Sequence, residues 1–300
     1  MAETPNQYLF VFGLKRQTEP FHICHYLCIE SCFQVNRPER ILFYYQHEPY
    51  GRYWDLAKRR LTLVHVQPGP ALAGFRYGWR HRGCRKYRYA HLSDFMRLEK
   101  LIEQGGVYAD IDTIFVNPLP AALLREPFVL GREQPVRCQD TGLVRPSLCN
   151  ALIVSPREAE FGRRWLEEMP RAFNGSWSNH STFLPQRLSE EIPHAIHIEP
   201  SRSFYPCMWT AEGIRTMLQG CDPDTRGIYS MHLWSHLWWS KRRRDLSEFH
   251  AGLLTERYIR EVDTTYNLIA RQFLPHEQAM KRDSTRVRLA TLLTWGSGRR

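Results

Sequence analysis

Two carboxylates one residue apart, Asp110 and Asp112, stand inside the stretch EQGGVYADIDTIFVNPL. Apolar residues flank them, so VYADIDTIFV reads as one largely buried strand. Residues i and i+2 of an extended strand point to the same face, which predicts that the two side chains lie close together. Two unscreened carboxylates in such a place repel, and their burial is costly unless a positive charge compensates. A divalent cation would compensate. Mg²⁺ and Mn²⁺ seek oxygen ligands, and Mg²⁺ commonly combines one or two protein carboxylates with phosphate oxygens. The chemistry this spacing points to is a hard metal waiting for a phosphorylated ligand.

The surrounding elements must present that pair. SDFMRLEKLIEQGG precedes it, with Ser93 expected as a helix N-cap and Gly105 and Gly106 as the stop. Phe95, Met96, Leu98, Leu101 and Ile102 form the buried stripe of that helix. Upstream, YLFVFGL, RILFYYQ and LTLVHVQP read as strands, separated by helical PFHICHYLCIESCFQVN and GRYWDLAKRR. Strand–helix alternation predicts an α/β fold with a parallel sheet, its strand ends along one ligand-binding edge. Downstream, LCNALIVSP reads as a strand and REAEFGRRWLEEMPRAF as a helix. HAIHIEP and GIYSMHLWSHLWW are strand-like, and RDLSEFHAGLLTERYIREVDTTYNLIARQF is helical and polar. No internal repeat or low-complexity linker is visible.

AHLSDFMRLEKLIEQGGVYADIDTIFVNPL resembles the sugar-binding segment of the DXD-containing glycosyltransferases of family 32. The matching residues are Ser93, Asp94, Arg97, Gly105, Gly106, Tyr108, Asp110 and Asp112. FHICHYLCIESCFQVNRPERILFYYQHEPYGRYWDLAK, CNALIVSP, WSNHSTFLPQRL and YSMHLWSHLW extend the resemblance over about residues 7 to 240. It implies a GT-A fold over residues 1–240, a Rossmann-like, mixed and mainly parallel sheet flanked by helices. Residues 241–300 would be a helical C-terminal extension. The resemblance also implies metal-dependent, retaining transfer of a hexose or N-acetylhexosamine. The donor would be a nucleotide sugar, a UDP-sugar or GDP-mannose, and the acceptor a glycan, glycolipid or protein. Asp112 would ligate Mn²⁺ or Mg²⁺ directly, Asp110 the metal or the ribose, and His232 the metal or diphosphate. Asp94 and Arg97, neighbours on a helix face at i and i+3, would contact the donor sugar. Asn150 would border the sugar or the acceptor. Tyr108, Trp234 and Trp238 complete the implied cofactor-binding set, the tryptophans as walls of the donor site.

The 300 residues carry a net charge of +10 and a pI near 9.3. Much of the excess is local, in RYGWRHRGCRKYRYAH (76–91), KRRR (241–244) and the C-terminal KRDSTRVRLATLLTWGSGRR. Such patches suit diphosphates, an anionic membrane surface touched peripherally, or nucleic acid. Arg85, Lys86 and Arg88 read as a solvated loop rather than diphosphate ligands. A nucleic-acid binder ranks last, because it gives no reason for the strand aspartates and shows no helix-turn-helix or RNA-binding signature. A nucleotide-sugar hydrolase sharing the metal–diphosphate site is the nearer alternative. No Gly-x-Ser-x-Gly suggests a serine hydrolase. The eight cysteines lack a disulfide framework spacing, which suggests a reducing compartment. A zinc reading of His22, Cys24, His25 and Cys28 lacks a second ligand pair, and Cys24, Cys28 and Cys32 at four-residue spacing fit a helix face better. No apolar run approaches a membrane span, and MAETPNQYLFVFGLKRQ reads as a first strand rather than a leader. A cytoplasmic location is expected.

Overall fold

The computed structural model describes residues 3–67, Leu72 and residues 75–275. The basic stretch KRDSTRVRLATLLTWGSGRR lies outside the described residues. The first hundred residues alternate as expected: β1 (Gln7–Val11), α1 (Ile23–Asn36), β2 (Arg40–Tyr45), α2 (Arg52–Ala57), β3 (Thr62–His65) and α3 (Arg88–Gln104). Then come β4 (Gly106–Ala109), β5 (Thr113–Phe115), β6 (Val129–Arg132), the short hairpin β7 (Val136–Arg137) and β8 (Val144–Arg145), and β9 (Leu148–Ser155). The remainder is α4 (Glu160–Ala172), α5 (Leu184–Glu191), β10 (His197–Glu199), α6 (Ser201–Phe204), α7 (Ala211–Leu218), β11 (Ser230–His232), α8 (Glu256–Glu261) and α9 (Thr265–Ala270).

Seven strands form one sheet in the order β10-β6-β9-β4-β1-β2-β3. β3, β2, β1 and β4 pair in parallel, as do β6 and β10, while β9 runs antiparallel to both of its neighbours. The sheet is thus mixed and mainly parallel. β1 is buried on both faces: Tyr8 and Phe10 enter one core, Leu9 and Val11 the other. α1 covers the first core with Ile23, Leu27 and its row of cysteines. α3 and α4 cover the second with Phe95, Leu98, Leu101, Phe161 and Trp165. Residues beyond 240 pack on the first core, through Phe249, Leu254, Ile259 and Tyr266.

Four local expectations are corrected. VYADIDTIFV is not one strand. β4 ends at Ala109, and Asp110–Asp112 form a turn closed by the Thr113 N–H on the Asp110 carbonyl at 2.9 Å. After that turn β5 leaves the large sheet to pair with β11. Second, Ser93 is no N-cap. The basic-aromatic segment is helical, a 3₁₀ stretch over Trp79–Tyr87 running directly into α3, because its rings have partners. Tyr77 and His91 stack, and Tyr87 packs edge-on to Trp177. Third, of GIYSMHLWSHLWW only Ser230–His232 is strand, because Trp234 takes a left-handed conformation (φ 50°, ψ 40°) that ends the ladder. Fourth, the polar stretch after 245 holds short helices only, and its two α-helices are each opened by a threonine whose side chain accepts an N–H: Thr255 for α8 and Thr264 for α9.

The two glycines before the aspartates are needed where they stand. Gly105 (φ 67°) ends α3 and Gly106 (φ 118°) opens β4, both in the region that favours glycine. A Cβ on Gly106 would fall 2.6 Å from the carbonyl oxygen of Gln7, the residue that opens the neighbouring β1. Among the described residues no helix is long and apolar enough to cross a membrane.

Candidate active site

The turn after β4 holds Asp110 and Asp112 at the carboxyl end of the sheet, and β11 brings His232 to them. Thr113 is paired with His232 in the β5–β11 ladder, so the histidine is fixed beside the turn by backbone register. His232 Nε2 lies 3.1 Å from Asp112 Oδ1 and 3.8 Å from Asp110 Oδ2. The left-handed Trp234 then turns the chain so that the Ser235 N–H donates to Asp112 Oδ2 at 2.8 Å. One potential ligand atom from each of Asp110, Asp112 and His232 lies within 4.8 Å of the others.

A second group meets the first from α3. Arg97 is buried, with Nη2 3.0 Å from Asp94 Oδ1 and 3.3 Å from Asp110 Oδ1. Its Nη1 donates to the Asn150 carbonyl at 2.6 Å, and its guanidinium lies over the Tyr108 ring at 4.5 Å. Asn150, on β9, donates its side-chain N–H to Asp94 Oδ1 at 2.9 Å. Tyr108 donates its hydroxyl to Asp110 Oδ1 at 2.6 Å. His180, from a π-turn over Asn179–Phe183, places Nε2 2.9 Å from Asp94 Oδ2.

The charges are not shared evenly. Burial disfavours the Asp112 carboxylate, but His232 and the hydrogen bonds from His232 and Ser235 outweigh it and hold its pKa well below the usual range. Asp110 moves the other way: burial raises its pKa, and Arg97 and His232 only partly offset that. Burial opposes charge on His232, yet Asp112 and Asp110 leave its pKa raised. For Asp94, burial is again opposed, by Arg97 and His180, and the net direction is down.

Of the residues named from sequence, Asp94, Arg97, Tyr108, Asp110, Asp112, Asn150 and His232 converge. Trp234 packs against the His232 ring at 4.2 Å between centroids, its indole N–H on the Cys207 carbonyl. Trp238 does not face the site. It is 1 % exposed, donates its indole N–H to the Leu233 carbonyl and packs on Phe249 in the core. Cys24, Cys28 and Cys32 are buried on α1, where burial pushes their thiols up. Sequence reasoning missed His180, Ser235 and Glu133. Glu133 follows β6 as a buried carboxyl whose pKa burial raises to about 7.

Two carboxylates and one imidazole, with the imidazole Nδ1 buried and unpartnered behind them, make a donor set that fits a divalent cation. A mixed α/β sheet with such a set at its strand ends, backed by a buried Asp–Arg pair, can hold a divalent cation beside a polar ligand. Residues 29–129 match the family described as the glycosyltransferase sugar-binding region containing DXD motif. That span holds Asp94, Arg97, Asp110 and Asp112.

Glucan organizing enzyme 1 of Cryptococcus neoformans var. grubii is 29% identical over 279 residues, 90% of this chain and 70% of that protein. The galactosyltransferase LgtC, solved in complex with donor and acceptor sugar analogs, aligns with a TM-score of 0.47 at 16% identity over 92% of this chain and 99% of that one. The PaToxG glycosyltransferase aligns at 0.41 and 16% identity over 64% and 71% of the two chains.

Proposed function

We propose that this protein is a metal-dependent, retaining glycosyltransferase that moves a hexose or N-acetylhexosamine from a nucleotide sugar, a UDP-sugar or GDP-mannose. The observation that carries the reading is the convergence of Asp110, Asp112 and His232 within 4.8 Å beside the buried Asp94–Arg97 pair. Asp110, Asp112 and His232 would hold the cation. The two carboxylates suit Mg²⁺ or Mn²⁺, and the imidazole tips the balance to Mn²⁺. When bound, such an ion neutralises charge growing on a leaving diphosphate.

The protein's own groups do the rest. Arg97, locked between Asp94 and Asp110, fixes both carboxylates. Asn150 and His180 hold Asp94 by both oxygens, so it enters the reaction oriented to accept hydroxyl hydrogens of the donor sugar. Tyr108 aims Asp110. The acceptor is a glycan, glycolipid or protein, and the likeness to a glucan organizing enzyme adds glucan to the acceptors worth testing. Residues 1–240 would form the catalytic domain and 241–300 an extension. The scattered cysteines support a cytoplasmic setting.

The test is a panel of nucleotide sugars assayed for Mn²⁺-dependent nucleotide release, with and without acceptors, for wild type and Asp112→Asn. Release from one donor, stimulated by an acceptor and lost with the substitution, is expected. Release that no acceptor diverts into a glycoside would make the protein a hydrolase. Absence of release and of metal-dependent nucleotide binding would remove the reading.

A further inference from the structure

Among the described residues the most exposed large apolar side chains are Trp79, Leu143 and Val144, at 78 %, 65 % and 58 %. They occupy two segments, the 3₁₀ stretch Trp79–Tyr87 and the tip and second strand of the β7–β8 hairpin. One carboxylate ties these segments together. Asp140, in the hairpin, meets His81 Nε2 at 2.9 Å, and accepts from Asn174 Nδ2 at 2.8 Å and Asn179 Nδ2 at 3.0 Å.

The charge around them has one sign. Residues 76–91 include Arg76, Arg80, Arg82, Arg85, Lys86 and Arg88 and no acidic residue. The hairpin adds exposed Arg137 and Arg145, and its own acid, Asp140, is taken up by the clamp. Cations lie against the rings: Arg80 over Trp79 at 5.2 Å and Lys86 over Tyr87 at 4.9 Å. Exposed aliphatic and indole side chains on two arginine-rich segments match an interface with hydrocarbon below and anionic headgroups above. Nucleic acid would use the cations but gives no partner to Leu143 and Val144.

This face is also tied to the site. The 3₁₀ stretch runs into α3, which carries Asp94 and Arg97, and Asn179 adjoins His180, which holds Asp94. We propose that Trp79, Leu143 and Val144, with the surrounding arginines, dock this protein on an anionic lipid bilayer and hold the donor site over a lipid-linked acceptor. The docking stands by itself; the acceptor class rests on the transferase reading above.

The test is co-sedimentation of the full chain with vesicles of phosphatidylcholine alone or mixed with phosphatidylglycerol, with nucleotide release followed in the same preparations. Wild type should partition to the anionic vesicles at least about tenfold better than to neutral ones. The triple variant Trp79→Ala, Leu143→Ser, Val144→Ser should lose about tenfold of that binding while keeping nucleotide release from soluble donor. Arg80→Glu with Arg82→Glu should lose the preference for anionic lipid. Every variant keeps the basic residues after 275, so retained binding in the triple variant would assign docking elsewhere and overturn the proposal. Equal binding to both vesicle types would overturn it too, as would RNA or DNA binding lost in the same variants without vesicle binding. Docking without nucleotide release would instead remove the transferase reading and leave the surface standing.

Discussion

The two aspartates of the turn are separated by one residue, yet each is nearest to a different cation. On the α3 side Asp110 meets Arg97, whose guanidinium is always charged, and its carboxyl still moves up in pKa. On the β11 side Asp112 meets His232 and the Ser235 N–H, and its carboxyl moves down. The guanidinium has no acceptor capacity and cannot give way to a metal ion. The imidazole can lose its proton and become a ligand. One side is therefore built as a permanent scaffold and the other as an exchangeable one. A shared Asp-x-Asp spelling conceals two different tasks.

Breaking the permanent side should have the largest effect. Arg97→Met leaves Asp94 and Asp110 buried without their cation and should cost about 3–5 kcal/mol of stability in urea unfolding. A cost below about 1 kcal/mol would mean that His180, Tyr108 and Asn150 carry the network without it. Breaking the exchangeable side should spare the fold and strike the chemistry. Asp112→Asn should lower Mn²⁺-dependent nucleotide release by about a thousandfold, the several-kcal/mol scale of Lewis-acid stabilisation. Equal release from both proteins would place the metal on Asp110 and His232 alone.

Glu133 sharpens the contrast, because it is a buried carboxyl with no cation in contact. Its folded pKa of about 7 lies above the ordinary 4.5, so between those values the native state binds more protons than the unfolded chain. Stability should fall as pH rises through that window, with the full penalty present above it. Glu133→Gln should then gain up to about 3 kcal/mol over wild type at pH 8 and little at pH 4, measured by unfolding at both. A gain that does not change with pH would sink the assignment. The smallest effect is expected at Ser93. Its hydroxyl lies 3.4 Å from the Tyr108 hydroxyl and caps nothing, so Ser93→Ala should change stability by less than about 0.5 kcal/mol. A true N-cap would cost about 0.5–2 kcal/mol.

The alternating strands and helices of the first hundred residues were legible because their apolar periods are plain and their ends carry glycine or turn chemistry. The closeness of Asp110 and Asp112 was legible too, but for a different reason than strand pleating: a turn brings them together after β4 ends. The start of α3 was misread because RYGWRHRGCRKYRYAH has no cap signal. What keeps it helical is ring packing against Phe173, Trp177 and His180, far along the chain. His180 and Ser235 could not be found by spacing, since each meets an aspartate through tertiary structure alone, 86 and 123 residues away. Glu133 resembles any strand-end glutamate until its burial is known. Trp238 shows the opposite error: its neighbourhood to His232 in sequence suggested a wall, and the left-handed turn at Trp234 sends it into the core.

The β5–β11 ladder has a consequence for how the protein comes into being. Its three pairs bring Asp112, at the end of the turn before β5, to His232, 120 residues further along the chain. A ribosome adding about 5–20 residues per second delivers the second partner roughly 6–24 s after the first. Through that interval Asp112 has neither its imidazole nor its backbone donor, and the nascent chain holds half a site. A chain cut short before His232 therefore carries the whole Asp-x-Asp signature without the imidazole and the backbone donor that hold Asp112.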